Sequence, residues 1–317
     1  MVADRPPRYA VLDMARGIAI IGVVIYHFIW DLRYLDFIGI NMRETPLLVA
    51  FQAVLLASFL LLAGASLFLA HRNGMRWGAF WRRVGVLTAT ALLVSAGTMI
   101  LLPAAFVYFG VLHALALFAV LALPFLRLPV WMTLVTAATV IILPAYAQSD
   151  MFYATWLSWI GFWTVAPATL DLVPVFPCFA WVLIGIALTK LALRFGADDG
   201  LGSVDPSNKL AAALKWAGRK SLWIYLLHQL VLLGILFPLQ TLVQPGTAGR
   251  VADFTNSCMS NCTDLGNPEA YCTAYCQCSL EQVEADDLWD VINSTETTQA
   301  QLDAAGRISR LCSAMAE

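Results

Sequence analysis

An all-α fold, a polytopic transmembrane helical bundle of about seven spans with a small cysteine-rich helical C-terminal module, is predicted by three observations. Of 317 residues, 60% are hydrophobic and 13% charged, with mean hydropathy +0.73. That is too apolar for a soluble domain, and the chain is too long for a single anchor. The apolar residues also fall into runs of about 20, the length a helix needs to cross a roughly 30 Å hydrocarbon core. Charge and cysteine, finally, divide the chain near Gln244. Residues 1–243 hold 16 Lys+Arg against 10 Asp+Glu, residues 244–317 hold 3 against 11, and six of the seven cysteines lie in the second part. The bilayer is therefore the first expected partner. No basic patch interleaved with aromatics, glycine-rich phosphate loop or zinc-protease motif is present, so no nucleic acid and no metal are expected.

The first span, Val11 to Leu32, carries four ionisable groups: Asp13, Arg16, His27 and Asp31. At roughly 100° per residue, placing Arg16 at 0° puts His27 near 20° and both aspartates near 60°. All four share one narrow stripe. A charge facing lipid near the membrane centre costs at least a few kcal/mol, so the stripe is expected to face the bundle interior or a wet cavity, the alternative for Asp13, Arg16 and Asp31, though not for His27, being that they snorkel to water at the two interfaces. The bulky distal end, Tyr26 to Leu35, lacks a small-residue cleavage site, which marks a retained helix rather than a signal peptide.

Further spans are expected at Leu47–Ala70, Val84–Leu102, Phe106–Leu126, Val130–Tyr146, Pro174–Leu193 and Leu222–Val243. The second contains Ala63-Gly64-Ala65-Ser66, small residues that admit close helix approach. Arg72, Arg76, Arg82 and Arg83 make a basic loop between the second and third. Residues 148–173 are rich in aromatics and broken by Gly161 and Pro167, which suits an interfacial or re-entrant segment. A polar connector runs from Arg194 to Lys215. With the N terminus cytosolic, 14 Lys+Arg fall on the inside against Arg33 and Arg43 outside. The expected location is the inner (plasma) membrane, multi-pass, with the tail extracytoplasmic.

In that tail, Cys258 and Cys262 stand at i, i+4, as do Cys272 and Cys276, around a Gly266-Asn267-Pro268 turn. Two short helices folding back are stapled most simply by Cys258–Cys276 and Cys262–Cys272, leaving Cys278 and Cys312 for a third bridge. Six cysteines allow 15 connectivities, and a cytosolic zinc site is the competing reading. Disulfides need an oxidising compartment, which agrees with a tail outside the membrane.

The stretch Leu12-Asp13-x-x-Arg16-Gly17-x-Ala19, continued by Tyr26-His27-Phe28 and Trp30-Asp31-Leu32, resembles the catalytic-domain family of heparan-alpha-glucosaminide N-acetyltransferase and its bacterial relatives. It is also related to the broader membrane acyltransferases. Phe109-Gly110-Val111-Leu112-His113, Pro174-Val175-Phe176-Pro177 and Gly218-Arg219-Lys220-Ser221-Leu222-Trp223-Ile224-Tyr225-Leu226-Leu227-His228-Gln229 extend the likeness in order across residues 8–240. The resemblance implies acetyl-CoA or another acyl-CoA as cytosolic co-substrate, a sugar or glycan amine or hydroxyl as outer acceptor, and His27 as the residue that takes or relays the acyl group. Two departures stand out. Cys178 occupies a position where the family usually has tryptophan, and the animal enzyme's additional helices are missing, which leaves a homo-oligomer open.

The residues make their own case. His27 and Asp31, one turn apart, have the arrangement in which a carboxylate fixes an imidazole tautomer for acid-base or nucleophilic work. Ser221, Tyr225 and His228 form a second polar stripe, with His228 as a candidate second imidazole and Tyr225 as a candidate oxyanion donor. Asp13, Arg16, His113 and Asp171 are candidate substrate or cofactor contacts. His113 also fits an interhelical hydrogen bonder, and Asp171 an exposed loop carboxylate. A proton-coupled transporter suits buried Asp, Arg and His equally well, although no internal repeat is evident. A membrane scaffold with a partner-binding tail is the third reading.

Overall fold

The computed structural model describes residues 9–35, 37–42, 44–101, 103–167, 169–196, 205–243, 248–286, 288–289 and 299–316. Arg5, Arg8 and Arg43 of the charge count, Ala197-Asp198-Asp199-Gly200 of the connector and the boundary at Gln244 lie outside the described residues.

Among the described residues the chain is helical, with no strand beyond one isolated bridge. The membrane part comprises α1 (Ala10–Tyr34), α2 (Pro46–His71), α3 (Trp77–Leu101), α4 (Val111–Leu121), α5 (Val130–Ile142), α6 (Thr155–Ser158), α7 (Val175–Arg194), α8 (Lys209–Arg219) and α9 (Ser221–Val243). The tail holds α10 (Ala248–Asp264), α11 (Glu269–Ala285) and α12 (Gln299–Ala316). Five of these, α1, α2, α3, α7 and α9, are long and apolar enough to cross a membrane. The protein is a multi-pass membrane protein.

Three segments differ from their expected form. Arg82 and Arg83 lie inside α3, which begins at Trp77 rather than Val84; nothing from Trp77 to Leu101 breaks a helix, and arginine stems pack on apolar surface. The fourth span is short because Phe106–Gly110 is extended. Phe109 bridges Leu172, the Val173 N–H donates to the Phe109 carbonyl at 3.1 Å, and the Leu170 N–H donates to the Ala105 carbonyl at 3.0 Å. Backbone that leaves the helix in an apolar setting must find partners within the protein, and these two segments satisfy each other. The polar connector, third, ends in a helix, α8, whose first turn is capped by the Asn208 side chain accepting from the Ala211 N–H at 2.7 Å. The described residues of 148–173 form short helical turns and the bridge at Leu172.

The chain divides into two compact units. The first comprises Met1–Tyr26 and Ala50–Gln229. Its core gathers Leu60 and Leu67 of α2, Phe118 of α4 and Val182, Leu183 and Ile186 of α7. Small residues set the crossings. A Cβ on Gly64 would stand 2.1 Å from the Val182 carbonyl oxygen and one on Gly185 2.2 Å from that of Leu61, so α2 and α7 meet backbone to backbone. Buried Lys190 donates to the Phe125 and Leu128 carbonyls of the α4–α5 turn at 2.6 Å each.

The second unit comprises His27–Val49 and Leu230–Glu317. Here α10 and α11 form a helical hairpin stapled by Cys258–Cys276 and Cys262–Cys272, and Cys278–Cys312 ties α11 to α12, with Cα–Cα distances of 5.8, 5.7 and 5.6 Å. The i, i+4 spacing puts each cysteine pair on one face, opposite its partner across the turn. Arg33, in the last turn of α1, pairs with Asp253 of α10 at 2.8 Å. Among the described residues no cluster of His, Cys, Asp and Glu suits a metal.

Candidate active site

At the start of α1 the aspartate and arginine of the first motif meet. Arg16 Nη1 lies 3.2 Å from Asp13 Oδ1, and Nη2 donates to the Ser66 hydroxyl, which itself donates to the Leu62 carbonyl. The charged pair is thus held against the small-residue stretch of α2. Glycine makes the fit possible: a Cβ on Gly17 would stand 2.1 Å from the Leu214 carbonyl oxygen, and one on Gly218 1.8 Å from that of Asp13. The first and last motifs therefore cross each other, α1 on α8. Arg83 is an electrostatic neighbour of Arg16. With His71 and Arg76 it lines a cavity of about 130 Å³ whose other walls include Leu67, Phe80 and Ala119. His71, Arg76 and Arg83 are the basic groups on a lining that is mostly apolar, and no carboxylate lines it.

The N-terminus of α4 brings His113 and Asp171 together. Asp171 Oδ2 accepts from the Val111 N–H at 2.9 Å, capping the helix from the neighbouring extended segment. Burial pushes the Asp171 carboxyl above the ordinary carboxylate range, an effect the Val111 N–H partly offsets. The cap also requires glycine next door, because a Cβ on Gly110 would stand 2.3 Å from Asp171 Oδ2. His113 Nδ1 accepts from the Gly110 N–H at 3.2 Å, so in the neutral ring Nε2 carries the proton and donates to Ser95 Oγ at 3.3 Å. Ser95 passes the chain on to the Val107 carbonyl at 2.5 Å. Both ring nitrogens of His113 are engaged in holding α3, α4 and the extended segment together. Ser95 carries no motif, being a single serine in an apolar helix, and Lys190, which the sequence offers only as one of the 14 inside charges, turns out to be a buried donor to the α4–α5 turn.

On α9, Tyr225 packs against Leu87, Ala91, Leu112 and Ala116 of α3 and α4. His228 Nδ1 lies 2.7 Å from the Tyr225 carbonyl, which can only accept. Nδ1 therefore carries the proton, and Nε2 is the basic nitrogen of the neutral ring. In the second unit, Asp31 is wholly buried at 0% exposure and His27, one turn earlier on α1, is half-buried. The expected stripe is thus divided in role: Asp13 and Arg16 pair at one end of the helix, and His27 and Asp31 share a face toward the other.

Residues 8–230 match the model of the family described as heparan-alpha-glucosaminide N-acetyltransferase, catalytic. No curated protein and no solved structure matches the chain.

Proposed function

The chain belongs to the heparan-alpha-glucosaminide N-acetyltransferase catalytic family, a membrane acetyltransferase in general terms, and from that premise we propose that it moves an acetyl group from cytosolic acetyl-CoA to a sugar amine or hydroxyl on the outer side. The observation that carries the reading is the His27–Asp31 pair. A carboxylate with no solvent exposure stands one turn from an imidazole on a membrane-spanning helix, and ionisable groups inside a membrane are functional candidates by default. His27 lies on the order of 16 Å along the helix from Arg16, beyond the middle of a roughly 30 Å core.

In this reading the cavity of His71, Arg76 and Arg83, with Arg16 as a neighbour of Arg83, takes a CoA phosphate group, and His27 acts on the thioester. The neutral imidazole attacks the acetyl carbonyl, the C–S bond breaks, and CoA leaves as the thiol once protonated; the acceptor then displaces histidine from the acetyl group. Alternatively the imidazole removes the acceptor's proton as the acceptor attacks the thioester carbonyl; the C–S bond breaks and CoA leaves as the thiol, taking that proton from the imidazolium. Asp31 orients the ring in either route. Tyr225 is proposed as donor to the developing oxyanion and His228 Nε2 as a second base. His113 and Asp171 serve by fixing the α4 N-terminus beside Tyr225.

A cytosolic N terminus and an extracytoplasmic tail are part of the proposal. Charge distribution supports them, as do three disulfides of the kind an oxidising compartment sustains. Parity agrees too, since five long spans and seven give the same result if α4 and α5 enter and leave as a pair.

The test is to incubate membranes holding the protein with radiolabelled acetyl-CoA and extracted envelope glycans. Label is expected in a glycan or lipid fraction, and His27→Ala is expected to lower transfer by roughly 10² to 10⁴. Transfer retained within about tenfold would return His27 to a packing role.

A further inference from the structure

No step of the proposed reaction uses α8, yet its two sides differ sharply. From Lys209 to Lys220 the chain holds four cations and no carboxylate. With Gly218 at 0°, helical geometry places buried Ala211 near 20°, and Trp216 and Lys209 near 160° and 180°. The glycine side meets α1, where a Cβ on Gly218 would run into the Asp13 carbonyl. On the other side Lys209, Ala212, Ala213, Trp216, Arg219 and Lys220 are exposed, Trp216 at 58%. Lys209 and Trp216, about two turns apart, flank the two small alanines and leave a shallow step between a cation and an indole. Lys215 is already engaged, its Nζ 2.5 Å from Asp205 Oδ1 and 2.9 Å from the Pro206 carbonyl oxygen. Among the described residues no carboxylate pairs with Lys209, Arg219 or Lys220. Position matters as much as charge. Lys220 alone separates α8 from α9, and Asp13 and Gly17 lie in the first two turns of α1, both helices being long and apolar enough to cross a membrane. The helix α8 therefore lies at the membrane boundary, with Trp223, 61% exposed, just beyond it on α9.

We propose that the outer face of α8 binds anionic phospholipid: Lys209, Arg219 and Lys220 hold the headgroup phosphate, and the glycerol and upper acyl carbons lie on Ala212, Ala213 and the Trp216 ring. Charge complementarity selects this occupant. Lysine and arginine at a bilayer surface are drawn to anionic headgroups, their stems lie along apolar chains while the charge stays at headgroup depth, and tryptophan favours that same depth. Arg219 uses Nε to reach the Lys215 carbonyl at 3.1 Å, and its terminal nitrogens form the planar fork that fits a phosphate. A zwitterionic headgroup carries its own cation, which opposes these three, so it is the poorer ligand. Because the inner face of α8 is locked on α1 at Gly17 and Gly218, lipid held on the outer face also secures that crossing. The inference is independent of the acetyltransferase reading.

The experiment titrates full-length protein in an uncharged detergent with phosphatidylglycerol or phosphatidylcholine of matched chains. Native mass spectrometry counts the retained lipid, and the thermal midpoint is followed in parallel. Phosphatidylglycerol is expected to bind about tenfold or more tightly than phosphatidylcholine. It should also raise the midpoint, since a ligand of the native state stabilises it, and added salt should weaken both effects. The triple variant Lys209→Gln, Arg219→Gln, Lys220→Gln is expected to lose phosphatidylglycerol affinity on the order of 10²-fold, about fivefold per cation. Without lipid it should keep the parent's midpoint, because all three side chains are exposed. Lys209→Gln alone should cost about fivefold, which keeps the test decisive if the triple variant folds poorly. Lys209→Arg with Lys220→Arg should retain binding, and Arg127→Gln, at an exposed cation of the α4–α5 turn, should leave it unchanged. Equal retention of the two lipids by the parent, or phosphatidylglycerol held as tightly by the triple and single glutamine variants as by the parent, overturns the proposal.

Discussion

Gly218→Ala should disable the protein while leaving every ionisable residue in place. The added Cβ would stand 1.8 Å from the Asp13 carbonyl oxygen, 2.7 Å from its carbonyl carbon and 3.1 Å from the Gly17 nitrogen. All three are backbone atoms, so no side chain can swing aside. Restoring an ordinary contact requires α1 and α8 to part by about 1.6 Å, and overpacking of this kind costs roughly 1–3 kcal/mol or more. The displaced helix carries Asp13 and Arg16, and a misplacement of about 1 Å is worth on the order of 10²-fold in rate. Gly17→Ala meets the Leu214 carbonyl oxygen at 2.1 Å and should behave alike. Gly234→Ala is the control, with no atom within 4 Å of the new Cβ; it should be neutral or stabilising by up to about 1 kcal/mol from helix propensity. Thermal unfolding followed by size-exclusion fluorescence, together with acetyl transfer per mole of folded protein, gives both readouts. A Gly218→Ala protein with the parent's midpoint and rate would refute the close crossing of α1 and α8.

Lys190→Met should lower stability by roughly 1–3 kcal/mol, because the part-buried Phe125 and Leu128 carbonyls would both lose a charged donor; a thermal midpoint equal to the parent's would show that the turn finds other donors. In non-reduced, denatured protein only Cys178 should react with an alkylating reagent, and mass spectrometry of tryptic peptides should recover the pairs 258–276, 262–272 and 278–312. Six freely alkylated tail cysteines would contradict that arrangement. A reporter fused after Glu317 should be active outside the cytosol, and activity confined to the cytosol would reverse the proposed orientation.

Much of this architecture was legible in the sequence because it depends on local pattern. Span length follows from hydropathy, and the clustering of Asp13 with Arg16, or His27 with Asp31, follows from helical periodicity. The tail is the plainest case. Two cysteine pairs at i, i+4 around a Gly-Asn-Pro turn admit one simple stapling, and that stapling is the one present. The family, too, was readable, since its motifs are contiguous runs in a set order.

What the tertiary structure alone decided lies in contacts between residues far apart in the chain. Nothing in Phe106–Gly110 announces that it leaves the helix; it does so because residues 169–173 supply the backbone partners that a helix would otherwise have provided. Arg83 reads as loop charge, yet it reaches a cavity that forms only when α2, α3 and α4 meet. The glycines of the first and last motifs give no sign that they face each other across a helix crossing. Hydropathy and periodicity report how one segment divides its surface between lipid and protein, whereas a crossing, a cap or an ion pair such as Arg33–Asp253 requires two segments to arrive at the same place, and no single window of sequence contains both.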